Sequence, residues 1–244
     1  MSDRYLVISD VDGTLLGDAV ELNLLRQWAA CQGGRVEWVY SSGRFCQSLR
    51  ESVANEKLPN PVALIGGVGT EVCSFPAGDT IGGWRKDLAV QFSATLIRNK
   101  LKSFPRLALQ PEEFQSELKV SYFLHDALTE ELTQVETILR ELHLDIQLVY
   151  SSQRDLDILP LRANKGNAAR FIAQHLGFQA KQVVVAGDSA NDLAMFQVGF
   201  RGIVVNNAHR ELKAMESQSV VVTRRSYAGG VLEGLLHWVD HKRV

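Results

Sequence analysis

The chain predicts an α/β fold, a Rossmann-like parallel sheet core with an inserted α+β cap, and three observations carry that expectation. Strand-like apolar runs alternate with helical patterns up to about residue 66, the same alternation returns after residue 164, and between them the pattern changes. The first part places strands at about residues 5–9, 36–40 and 62–66, separated by helical periodicities at about 20–32 and 45–55. The last part places strands near 182–186, 202–205 and 219–222 and a closing helix over about 228–239. Such units wind right-handed around a parallel sheet. The middle reads as a helix from Leu88 to Leu101, a strand from Lys119 to Leu124, a helix from Thr129 to Leu142, a strand from Asp145 to Ser151 and a short strand from Asp155 to Leu159. Helices segregated from strands in this way cover one face of an antiparallel sheet. Residues 1–83 and 160–244 are therefore expected to form the core and residues 84–159 the cap.

Composition narrows the class. With 244 residues, 45% hydrophobic and 22% charged, the chain can bury a sizeable core. A formal net charge of −2 supplies no field that would recruit nucleic acid or an anionic membrane. The N-terminus enters a strand directly after Met1-Ser2-Asp3-Arg4, with no long apolar stretch, so a cytoplasmic protein is expected; a monomer with a small-molecule partner is the accompanying expectation. Cys31, Cys46 and Cys73 show no CxxC spacing and read as core thiols. Leu64-Ile65-Gly66-Gly67-Val68-Gly69-Thr70 lacks the third glycine of a dinucleotide fingerprint and reads as a tight loop at a strand end.

Chemistry concentrates where strands end. The run Leu6-Val-Ile-Ser-Asp10-Val-Asp12-Gly13-Thr14 closes an apolar strand on two carboxylates at i and i+2, which point to the same side of an extended backbone. One can act as a nucleophile and the other as a proton donor; the plainer alternative is that Asp and Gly simply close the strand. A second strand ends on Ser41-Ser42-Gly43-Arg44, where Ser42 Oγ and backbone N–H groups can hold a phosphoryl oxygen. In Arg162-Ala-Asn164-Lys165-Gly166-Asn167 a lysine opens a helix against the helix dipole, so it calls for a local anion. Val183-Val-Val-Ala-Gly187-Asp188-Ser189-Ala190-Asn191-Asp192 places two more carboxylates after a strand, a pattern that suits a hard cation such as magnesium.

Taken in order, these four segments resemble the motifs of the haloacid dehalogenase-like phosphatase superfamily: DxDGT, a Ser or Thr at a second strand end, a Lys, and GDxxxD. The insertion point is similar to that of the Cof-like cap branch. Lys119-Val-Ser121-Tyr122, Tyr150 to Pro160, Ile203 to Ala208 and Gly229 to Trp238 resemble segments of the sucrose-phosphate and mannosylfructose-phosphate phosphatases. The resemblance implies a phosphomonoester hydrolase for a fructosyl disaccharide phosphate. Trehalose-phosphate or hexose-phosphate hydrolysis, a phosphosugar mutase and a non-catalytic sugar-phosphate binder stand as alternatives.

The same resemblance implies Asp10 as nucleophile and Asp12 as general acid and base. It implies Mg2+ on Asp10, Asp188 and the Asp12 carbonyl, with Ser42, Gly43 and Lys165 on the phosphate. Asn191 and Asp192 fall behind these groups, and Asn167 can reach the phosphate or a sugar hydroxyl. From the cap, Lys119, Ser121, Tyr122, Ser152 and Asp155 are candidates for the sugar, with Arg154, Asp155 and Asp157 alternatively a surface ion-pair cluster. The family pattern carries a histidine directly after the tyrosine; this chain has Phe123 there and His125 two positions later, which weighs against sucrose itself.

Overall fold

A computed structural model describes residues 4–88 and 91–240. Its elements follow the alternation. The chain runs β1 (Tyr5–Asp10), α1 (Ala19–Ala30), β2 (Val36–Ser41), α2 (Cys46–Asn55), β3 (Ala63–Gly66), β4 (Glu71–Ser74) and α3 (Trp84–Leu88). It continues through α4 (Ala94–Leu101), β5 (Ala108–Leu109), β6 (Val120–Phe123), α5 (Thr129–Arg140), β7 (Ile146–Ser151) and β8 (Asp155–Pro160). It closes with α6 (Lys165–His175), β9 (Val183–Gly187), α7 (Leu193–Phe196), β10 (Arg201–Val204), α8 (Arg210–Lys213), β11 (Val220–Val222) and α9 (Tyr227–Trp238).

Seven strands form one sheet in the order β11-β10-β9-β1-β2-β3-β4, and β5-β6-β8-β7 form a second. All pairings in the large sheet are parallel except β3 with β4. Every residue of β1 and of β9 is buried, which is why these strands read as unbroken apolar runs: a parallel sheet covered on both faces has no solvent side to alternate with. The small sheet is wholly antiparallel. Each sheet has its own buried apolar cluster. One draws on residues from Tyr5 to Leu88 and from Leu159 to Val239, the other on residues from Ile97 to Ile158.

Three local outcomes depart from the sequence reading. The single helix expected over Leu88–Leu101 is interrupted: α3 covers Trp84–Leu88, and α4 starts afresh after Ser93, whose side chain accepts the Leu96 N–H; residues 89 and 90 of that expected helix lie outside the described residues. The edge strand β4 went unread because Glu71 and Ser74, half-buried at its two ends, break the apolar run. Cys31 is exposed, not a core thiol, whereas Cys46 and Cys73 are buried.

The helix α6 is held close by a glycine. A Cβ on Gly166 would lie 2.1 Å from the Ala194 carbonyl oxygen, and neither backbone can yield without moving its helix. Gly166→Ala is therefore expected to destabilise the protein by about 2 kcal/mol, read from the urea midpoint.

Candidate active site

The sheet order explains why distant motifs meet. β1 lies between β2 and β9, and its register sets Asp10 opposite Ser41 and Ser9 opposite Ala186. The residues that follow each strand, Asp12, Ser42 and Asp188, therefore emerge together at the carboxyl edge, where the chain turns outward in both directions. They line a cleft of about 460 Å³ whose other wall is built by Gln110, Phe114, Lys119, Phe123, Ser151, Ser152 and residues 154, 155 and 157 of the second sheet.

Tight packing at the β1 end is enforced by the Gly13-Thr14 pair. Gly13 sits at φ +82°, and a Cβ there would come within 2.7 Å of Asp188 Oδ2. Thr14 Oγ1 donates to Asp188 Oδ1 at 2.8 Å from a fully buried position.

Lys165 is the electrostatic centre. It is the first residue of α6, whose preceding Asn164 accepts the Asn167 N–H at 2.8 Å, and its side chain is completely buried. Its ammonium donates to Asp10 Oδ1 at 2.6 Å, Asp192 Oδ1 at 2.6 Å and Asn191 Oδ1 at 2.8 Å, which engages all three of its protons. Burial alone would depress its pKa, but the Asp10 and Asp192 charges outweigh that and hold it above the usual lysine range. The anion demanded by a lysine in a first helical turn is thus a pair of carboxylates within the protein.

Asp192 is saturated. Its second oxygen accepts the backbone N–H groups of Asp188 at 3.0 Å and Ser189 at 3.1 Å. Asp10 and Asp188 differ in having spare oxygens. Asp10 Oδ2 is buried without any partner, and Asp188 makes no hydrogen bond through Oδ2 among the described residues. Burial first, with Asp192 and Asp188 adding to it against the pull of Lys165, raises the Asp10 pKa well above the carboxylate range. Burial and Asp192 push Asp188 up to about 6, opposed by the Thr14 hydrogen bond. Oxygens of Asp10, Asp188 and Asp192 lie within 4.8 Å of one another. Two unsatisfied hard oxygens beside a committed third fit a divalent cation such as Mg2+.

Asp12 faces the other way. Its Oδ2 accepts Arg44 Nε at 2.9 Å and Ser42 Oγ at 3.1 Å, while its side chain remains about half exposed to the cleft. Oδ1 has no partner among the described residues. The loop carrying Ser42 is tied to the β3–β4 turn by Ser42 N–H to Ile65 O at 3.0 Å, Val68 N–H to Ser42 O at 3.0 Å and Gly67 N–H to Arg44 O at 2.9 Å. The Gly43 N–H has no acceptor among the described residues.

The cap candidates separate into two groups. Lys119, Ser152 and Asp155 line the cleft. Lys119 is buried, 3.1 Å from Asp157 Oδ1, and its ammonium lies 3.4 Å from the Gly43 carbonyl, which joins the second sheet to the Ser42 loop. Asp155 accepts Gln110 Nε2 at 2.9 Å. Three candidates lie elsewhere. Ser121 is fully buried against Asp157 Oδ1 at 2.6 Å, Tyr122 points into the second apolar cluster, and Asn167 donates to the Arg162 carbonyl at 3.0 Å. Alternation in β6 turns Tyr122 to the face opposite Lys119. The ion-pair alternative holds only for Arg154 with Asp155, since Asp157 is buried against Lys119. Arg44, Gln110, Phe114 and Ser189 line the cleft without having been singled out. Only Arg44 carried a signal, as the residue directly after Ser42-Gly43.

Comparisons with known proteins give the family. The family described as sucrose-6F-phosphate phosphohydrolase matches residues 3–239. A mannosylfructose-phosphate phosphatase of Agrobacterium fabrum is 35% identical over 98% of this chain and 98% of its own. Sucrose-phosphatase 1 of Nicotiana tabacum is 29% identical over 96% of this chain, which spans 59% of that longer protein. Among solved structures, the sucrose-phosphatase of Synechocystis sp. PCC6803, determined with sucrose and phosphate, superposes with a TM-score of 0.90 at 31% identity, covering 97% of this chain and 98% of its own. A lysine buried between two carboxylates, a pair of open hard oxygens and a match along nearly the whole length together place this chain in the sucrose-6F-phosphate phosphohydrolase family of haloacid dehalogenase-like phosphatases.

Proposed function

We propose that this protein is a magnesium-dependent phosphomonoester hydrolase that removes phosphate from a fructosyl disaccharide phosphate, sucrose-6F-phosphate or mannosylfructose-phosphate. The observation that carries the chemistry is Asp10, with one oxygen held by a fully buried lysine and the other buried at the cleft floor without a partner among the described residues. The substrate class is supported by the two relatives above 30% identity and by the short polar groups of the cleft wall, which suit sugar hydroxyls. Residues 84–159 act, on this reading, as the selecting cap.

In the mechanism, the Asp10 carboxylate attacks phosphorus in line and the sugar oxygen departs, leaving an aspartyl-phosphate on Asp10. Asp12 supplies the proton to the departing oxygen and then takes one from the water that cleaves the aspartyl-phosphate. Its attachment to Arg44 and Ser42 through Oδ2 leaves Oδ1 to carry that proton. Asp10, Asp188 and the Asp12 carbonyl would hold Mg2+, which would supply positive charge that offsets repulsion between carboxylate and phosphate. Ser42 and the Gly43 N–H receive the phosphoryl oxygens. Lys165 reaches one by exchanging its Asn191 contact while keeping Asp10 and Asp192.

Phosphate release should be measured with Mg2+ on sucrose-6F-phosphate, mannosylfructose-phosphate, trehalose-6-phosphate and simple hexose phosphates. Preference for one fructosyl disaccharide phosphate is expected, and indiscriminate release would remove the substrate assignment while keeping the hydrolase. Asp12→Asn, which cannot exchange the proton, is expected to lower turnover on that substrate on the order of a hundredfold or more.

The acidic cluster also sets a pH dependence for the cation-free protein. Asp188 holds its proton up to about pH 6 when folded but releases it near 3.8 when unfolded. A raised carboxylate pKa means that this group's contribution to stability is full at low pH and is lost as pH rises through the folded value. Mg2+ binds the ionised form, so its addition should raise the melting temperature more at about pH 7.5 than at about pH 5. Equal shifts at both values would argue against binding at Asp10 and Asp188.

A further inference from the structure

Away from the cleft floor, two cysteines meet across the base of the Ser42 loop. Cys46 is the first residue of α2 and Cys73 lies in β4, directly opposite Leu64 of β3. Both are buried, at 4% and 7% exposure. Their sulfurs lie within 4.8 Å of each other and of a Glu71 carboxylate oxygen. The Cys46 thiol also faces the Leu64 carbonyl at 3.6 Å, and its backbone N–H donates to Glu71 Oε2 at 2.9 Å. Nothing in the hydrolytic mechanism uses this group.

We propose that Cys46 and Cys73 form a dithiol that a peroxide oxidises to a disulfide, and that closing the bond slows the phosphatase by displacing the Ser42 loop. Access comes from the Cys73 side. Cys73 and Glu71 line a pocket of about 90 Å³ together with Thr70, Thr80, Trp84 and Arg85, which is room enough for a molecule little larger than water. The neighbouring Cys46 thiol draws the Cys73 pKa below the usual thiol range against the effect of burial, and Cys73 together with burial raises that of Cys46, so Cys73 is the thiol placed to react first.

The chemistry balances as two displacements. The Cys73 thiolate attacks one peroxide oxygen, the O–O bond breaks, and a Cys73 sulfenic acid forms as hydroxide takes up the thiol proton and leaves as water. Cys46 sulfur then attacks the sulfenic sulfur and expels a second water, its proton accepted on the departing oxygen. Two thiols lose two electrons and two protons, and one hydrogen peroxide becomes two waters. Glu71, beside both sulfurs, is placed to relay the Cys46 proton.

The link to the site is structural. A disulfide needs its sulfurs at about 2.05 Å, well inside the contact distance of two thiols, and in this proposal the start of α2 moves toward β4 as the bond closes. The residue before it, Phe45, ends the loop of Ser42, Gly43 and Arg44, and that loop is stitched to the β3–β4 turn at Ile65, Gly67 and Val68. Ser42 and Arg44 both hold Asp12. A small shift here misplaces the proton donor and the phosphate-binding N–H, and turnover is expected to fall on the order of tenfold.

The test is hydrogen peroxide treatment of the purified full chain, with peptide mapping by mass spectrometry and phosphate release from p-nitrophenyl phosphate before and after dithiothreitol. The map is read independently of turnover, so it stands whether or not the disaccharide substrate is correct. A Cys46–Cys73 cross-linked peptide, with activity lost and then restored by dithiothreitol, is the expected result. Cys46→Ser and Cys73→Ser should hydrolyse like the parent and keep their activity through the same treatment; Cys73→Ala serves if either serine variant folds poorly. Both thiols remaining reduced, overoxidation of Cys73 without a cross-link, or full turnover in the cross-linked protein would each overturn the proposal.

Discussion

Asp10→Asn is expected to abolish phosphate release, by on the order of 10⁴-fold or more, while the protein stays folded. The amide oxygen of asparagine can still accept the Lys165 hydrogen bond that Asp10 Oδ1 receives at 2.6 Å, so the buried lysine keeps an acceptor. What disappears is the charge. An amide is too weak a nucleophile to form the phosphorylated intermediate, and a neutral group loses most of its attraction for a cation. The variant also has one fewer charge in a cluster where burial already works against the ionised carboxylate, so its urea midpoint without metal should match or exceed that of the parent. Release measured after removal of contaminating phosphatases decides the matter: hydrolysis at a tenth of the parental rate would take the nucleophile's role away from Asp10.

Lys165→Met carries the second large effect, on stability as well as rate. The lysine is the only cation hydrogen-bonded to Asp10 or Asp192 among the described residues, and neither it nor Asp192 is exposed at all. Removing it leaves two buried carboxylates facing each other, at a cost of about 3–5 kcal/mol in the cation-free protein. Turnover should fall about 10³-fold, since on the proposed mechanism the phosphoryl charge loses a positively charged partner and Asp10 loses the group that holds it. Arginine is not expected to rescue, because a guanidinium is larger than the fully enclosed site that holds the ammonium. Denaturation midpoints with and without Mg2+ test this directly. A parental midpoint in the variant would mean that the carboxylates hold protons and need no counter-charge.

These two residues show how legible the site was before its geometry. Asp10 could be named because strand periodicity ends on it, and Lys165 because a lysine at a helix start conflicts with the dipole. The cap was far less legible. Its cleft-facing residues sit on short strands and turns, where the side a residue faces depends on pairing register. β6 buries Tyr122 among the cap's apolar side chains, Lys119 just before the strand lines the cleft, and Gln110 and Phe114 come from a two-residue strand's end and a 3₁₀ turn that no periodicity marks.

The sequence by itself determined the α/β alternation and picked out Asp10, Asp12, Ser42, Lys165 and Asp188 as polar residues at element ends, because apolar period, turn chemistry and charge at element ends are local properties. Only the tertiary structure decided that β4 runs antiparallel at the sheet edge, that Asp192 spends both oxygens on Lys165 and backbone amides while Asp10 keeps one free, that Arg44 grips Asp12, and that Cys46 meets Cys73. Each of these is a pairing between groups on different elements, and a pairing depends on register and packing, which a linear chain does not display until its strands have chosen their neighbours.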